Sequence, residues 1–78
     1  MVMDKAKALK KLESIKNVRF SVLLSICETF FTVREGKGSH KVVSLPDGKP
    51  YAIQNKNGMA QPYQVMTIRE VIEELEES

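Results

Sequence analysis

The sequence predicts an α+β domain: three antiparallel strands with helices packed on one face, in the order α-α-β-β-β-α. Three observations carry this. Apolar residues recur at helical spacing before residue 30 and after residue 62. Between them lies a stretch rich in β-branched and aromatic residues. That stretch is cut by Gly36-Lys37-Gly38 and Pro46-Asp47-Gly48-Lys49, and connections this short join antiparallel neighbours. With 78 residues the chain is a single domain, 1–78, carrying an N-terminal helical extension at about 4–16. A domain of this size buries only about 60% of its extended-chain surface, so each core position counts.

The first helix is read over 4–16. Asp4 caps it, and Ala8, Leu9, Leu12 and Ile15 share one face, with five lysines on the others. A joint at 17–19 precedes a second helix at about 21–29, capped by Asn17 or Ser21. Phe20, Leu23, Leu24 and Cys27 fall at i, i+3, i+4 and i+7, and Val22 and Ile26 widen the stripe. A helix so apolar is expected to be the buried centre. Cys27, amid Leu23, Leu24 and Ile26, reads as a small core residue.

Phe30 to Glu35 reads as a strand, 36–38 as a turn and Ser39 to Leu45 as the returning strand. Pro46 to Lys49 forms the next turn. Tyr51 to Gln54 is the third strand, ended by Asn55 to Gly58. Strand alternation separates His40, Val42 and Ser44 from Ser39, Lys41, Val43 and Leu45. The second set is the better core face, so His40 is expected to point away from the helices. The last helix starts near Pro62, a favoured first-turn residue, or at Thr67 in a capping box with Glu70. Its apolar face is Ile68, Val71, Ile72 and Leu75. Its acidic end opposes the helix dipole and is expected to fray.

Net charge is +2, unevenly spread: residues 1–49 carry ten Lys/Arg against five Asp/Glu, residues 50–78 two against five. A basic front and an acidic tail suit a polyanion on one side of the molecule. One cysteine forbids an internal disulfide, and one cysteine with one histidine offers no zinc pattern. No cofactor or metal is expected. No apolar run approaches the ~18 residues of a membrane span, and the start lacks an apolar signal region, so a cytoplasmic protein is expected.

The chemistry concentrates in Arg34-Glu35-Gly36-Lys37-Gly38-Ser39-His40-Lys41. His40 is the only histidine, and an imidazole gives or takes a proton near neutral pH. RNA carries its own nucleophile, the 2′-OH, and cutting it needs a base, an acid and cations for the developing phosphorane charge. His40 can serve as one proton carrier. Arg34, Lys37 and Lys41 are the local phosphate binders, and backbone N–H groups near Gly36 and Gly38 can approach a phosphate. A Ser39–His40 relay is poorly set up, because adjacent strand residues face opposite ways. Tyr51 and Tyr63 are either stacking rings for bases or half-buried rings with a wet hydroxyl.

Phe31-Thr32-Val33-Arg34-Glu35-Gly36-Lys37-Gly38-Ser39-His40 resembles the strand and Gly-Ser-His signature of HicA toxins, the small toxins of HicAB type II toxin–antitoxin systems. The resemblance continues through Tyr51-Ala52-Ile53-Gln54, Gly58 and Gln61-Pro62-Tyr63-Gln64-Val65, from about Arg19 onward. It implies a fold like the double-stranded-RNA-binding domain, ribonuclease activity on mRNA and silencing by a HicB-type antitoxin. It places the catalytic histidine at His40, flanked by Gly38 and Ser39 as motif positions near the RNA. Many members carry a second histidine where this chain has Lys41. A non-catalytic RNA-binding module on the same fold is the alternative.

Overall fold

The computed structural model describes residues 4–75, and all that follows concerns these. Helix α1 spans Lys5–Lys11, a single 3-10 turn Ile15–Asn17, and helix α2 Phe20–Phe30. Four strands follow: β1 Thr32–Glu35, β2 His40–Ser44, β3 Pro50–Lys56 and β4 Met59–Ala60. Helix α3, Pro62–Glu74, closes the chain. The strands form one antiparallel sheet in sequence order.

Asp4 caps α1 as expected: its carboxylate accepts the Lys7 N–H at 2.8 Å. The helix then stops at Lys11 instead of running to residue 16. The reason lies downstream. The chain must be extended by Val18, whose carbonyl accepts the Ala60 N–H at 2.9 Å, and Arg19 bridges to Met59. Breaking after the buried Leu12 lets the 3-10 turn make that change of direction.

The same pairing replaces the expected cap of α2. Neither Asn17 nor Ser21 caps it; the N-cap is Arg19, with no side-chain bond, and the orphan N–H of Phe20 donates to the Gly58 carbonyl at 3.0 Å. Phe20, Leu23, Ile26 and Cys27 are buried along one side of α2, as the apolar stripe requires. Burial pushes the Cys27 thiol up to about 12, with the nearby Glu28 charge adding to the effect. The thiol is therefore an apolar filler.

The expectation of three strands is corrected to four. Asn57 and Gly58 both have positive φ, the mark of a type I′ turn, which folds β3 back into β4. The Asn57-Gly58 pair is the signal for that hairpin, and its partner strand is only two residues long. The last helix begins at Pro62; Thr67 lies inside it, its hydroxyl donating to the Tyr63 carbonyl rather than opening a capping box.

The core collects Ala8, Leu12, Leu23, Ile26, Val43, Ile53, Val65, Ile68 and Ile72, all sealed from solvent. Val43 and Ile53 are the sheet's contribution, with Val33, Leu45 and Tyr51 packed at their margins. The helices thus cover one face of the sheet and α1 rests on α3. The Lys5 ammonium donates to the Leu75 carbonyl at 2.9 Å, offsetting the negative end of α3 where its own last turn holds no cation. Among the described residues no helix is long and apolar enough to cross a membrane.

Candidate functional site: an open sheet face around His40

The β1–β2 hairpin is built on glycine. Gly38 has φ +58° at the first central position of the Lys37–His40 turn, as a type II′ turn demands. The turn is closed by the His40 N–H on the Lys37 carbonyl at 3.0 Å. Gly36 serves a different need. A Cβ there would lie 3.1 Å from the His40 carbonyl and 3.3 Å from both His40 Cβ and Val42 Cγ2. The missing side chain is what leaves room beside the imidazole.

His40 Nδ1 lies 3.1 Å from the same Lys37 carbonyl. A carbonyl only accepts, so in this bond Nδ1 carries the proton. The neutral ring then presents Nε2 as its lone-pair nitrogen, and the loop fixes its orientation. His40 is partly exposed on the face opposite the buried Val43.

Register decides its neighbours. His40 stands opposite Gln54 on β3, and the pair exchanges no backbone bonds; the Asn55 N–H goes to Ser39 at 3.1 Å. Side chains of such pairs are close, with Cβ atoms about 4.5–5.5 Å apart. Gln61 Nε2 reaches Gln54 Oε1 at 3.5 Å, so His40, Gln54 and Gln61 form a row across the sheet. Gln54 is held from behind. Its N–H points past the end of β4 and is met at 2.9 Å by the amide oxygen of the buried Gln64, whose Nε2 donates to the Tyr63 hydroxyl at 3.1 Å. Gln54, Gln61 and Gln64 lie in segments that carry the resemblance, but the sequence assigns them no role, because glutamine has no positional signature until the register is known.

The expected phosphate binders separate. Arg34 pairs with Val42, which puts it on the His40 face one position along, exposed. Lys37, Gly38 and Ser39 are exposed in the turn that holds the ring. Lys41 is on the other face, directly opposite Glu35, and its ammonium is engaged by that carboxylate. It therefore braces the hairpin. Tyr63 is 63% exposed, while Tyr51 is half-buried on the core side.

Among the described residues no three of His, Cys, Asp and Glu come together as a metal cage would require. A shallow cleft of about 240 Å³ lies at the other end of the strands, lined by Leu45, Pro46, Asp47, Val71, Glu74 and Leu75. Its two carboxylates give it the wrong sign for a phosphate. The chain matches no protein-family model, no curated protein and no solved structure.

Proposed function

We propose that the protein is a HicA-like ribonuclease toxin that cleaves mRNA without a metal, with His40 as general acid or base. The observation that carries the reading is the oriented imidazole on an uncovered sheet face: Nδ1–H on the Lys37 carbonyl, Nε2 unengaged, and Arg34 on the same face. In the neutral ring Nε2 takes the 2′-OH proton as the 2′-oxygen bonds to phosphorus. As the bond from phosphorus to the 5′-oxygen breaks, that oxygen needs a proton, which water or an imidazolium supplies. Arg34 and Lys37 offset the charge on the phosphorane oxygens. The order α2–β1–β2–β3–α3 supports a fold like the double-stranded-RNA-binding domain, to which α1 and β4 are additions. A HicB-type antitoxin in the cytoplasm would silence the toxin by covering the open face.

The test is a His40→Ala variant expressed without a partner. Loss of toxicity, with RNA cleavage in EDTA reduced about 10²–10⁴-fold, supports the reading. Undiminished cleavage removes His40 from the mechanism.

One observation favours a second reading, a non-catalytic RNA-binding module. His40 has no second imidazole in the chain, and Lys41, where many family members carry one, is tied to Glu35 on the opposite face. Purified protein that binds RNA yet leaves it uncut in EDTA would establish this second reading.

A further inference from the structure

We infer that single-stranded RNA crosses the strands of the open face, running from Arg34 over His40 to a second phosphate-binding pair, Lys56 and Arg19, beyond the far strand. The inference rests on the RNA reading above and adds to it a direction and two residues. Lys56 is two positions after Gln54 on β3, so it shares the face of His40. It pairs with Met59, and Met59 pairs in turn with Arg19. The Arg19–Met59 bridge is flanked by the bonds Phe20 N–H to Gly58 and Ala60 N–H to Val18, at 3.0 and 2.9 Å. Such a pair projects both side chains to one side. The neighbours agree: Val18, Phe20 and Ala60 are buried, whereas Arg19 and Met59 are exposed. Arg19 thus acts as one residue of a fifth strand, about three strand spacings or roughly 14–15 Å across the sheet from His40.

Charge identifies the occupant. Taking the face strand by strand, its residues are Thr32, Arg34; His40, Val42, Ser44; Pro50, Ala52, Gln54, Lys56; Met59 and Arg19. It holds three cations and no carboxylate. The acid of β1, Glu35, is on the other side with Lys41. Among the described residues Arg19, Arg34 and Lys56 make no ion pair. Arg19 also occupies the N-cap of α2, where the helix dipole disfavours a cation and no acid follows in the first turn. A charge kept where local physics opposes it calls for a ligand that repays it. Between the cations lie the Gln54 and Gln61 amides, suited to the edges of unpaired bases, as in a single strand.

The experiment is anisotropy titration of a fluorescein-labelled oligouridylate with full-length protein carrying His40→Ala, so that RNA survives. Salt is varied between about 50 and 200 mM. Adding Arg19→Gln and Lys56→Gln is expected to weaken binding and flatten the slope of log affinity against log salt by about 1.4, two contacts at ~0.7 each. Adding Lys10→Gln and Lys11→Gln, on α1, leaves the slope unchanged. Circular dichroism confirms the fold of each. Equal losses from both pairs, or none from Arg19 and Lys56 while RNA still binds, overturn the track but leave the nuclease reading standing. Absence of any RNA binding by the parent overturns both.

Discussion

The two faces of this sheet are made from the same strands, yet they obey different rules. On one, Val43 and Ile53 are fully buried against the helices, with Val33 and Tyr51 beside them. On the other, His40, Arg34, Gln54 and Lys56 stand uncovered. The first is selected by volume and the second by chemistry. Adjacent residues 53 and 54 therefore tolerate opposite kinds of change. The comparison also explains Lys41. A cation on the core-side face of a strand must find a partner at the open end, and Glu35 supplies it.

The contrast is broken most directly by Ile53→Ala, which leaves a hole under the helices and should cost about 2–5 kcal/mol in urea unfolding. Its outward neighbour, changed as Ala52→Ser, should cost less than about 0.5 kcal/mol. Comparable losses would mean that the outer face is packed as well.

Next in size is a pH effect confined to the buried layer. The folded Cys27 thiol ionises at about 12, against 9.0 when unperturbed. Between these values the unfolded chain releases a proton that the folded chain keeps, so stability falls as pH rises. Below pH 9 the contribution is whole. By pH 10.5 the parent should have lost on the order of 2 kcal/mol more than Cys27→Ala, each measured against its own value at pH 8.5. Parallel pH profiles for the two proteins would place the thiol in contact with water.

Gln64 joins the two faces, being buried yet holding the backbone behind Gln54. Gln64→Leu strands the Gln54 N–H and should cost about 1–3 kcal/mol. It should also shift the amide resonance of residue 54 more than that of residue 53. A smaller effect is expected at Gly36. Its φ is not in the left-handed region, and the atoms nearest to an added methyl group belong to His40 and Val42, at 3.1–3.3 Å. Gly36→Ala should cost about 1 kcal/mol while displacing the imidazole resonances of His40. Unmoved resonances would show that the ring is not sterically placed by this gap.

Much of the buried face was legible in the sequence because period is a local property. Ala8 in α1 and Leu12 at its C-cap, the apolar stripe of α2, and Ile68 and Ile72 in α3 lie where helical spacing puts them. Val43 is inward as alternation requires. The Gly38 and Gly48 turns are announced by residues that accept positive φ, which both adopt. His40 was legible as a candidate because it is the single imidazole. The residues that share its face were not: Gln54, Gln61, Lys56 and Arg19 lie 14 to 21 positions from it and come to that face only through register.

The sequence by itself therefore determined the helices, three of the strands, the side of the sheet that is buried and the position of the single imidazole. These follow from periodicity and from residue types with few alternatives. Tertiary structure alone decided where α1 ends, what stands in for a cap on α2, and that Arg19 shares a face with His40. Each of those depends on Val18, Arg19 and Phe20 pairing with Gly58, Met59 and Ala60. A contact spanning forty residues satisfies backbone groups that no local pattern could have assigned.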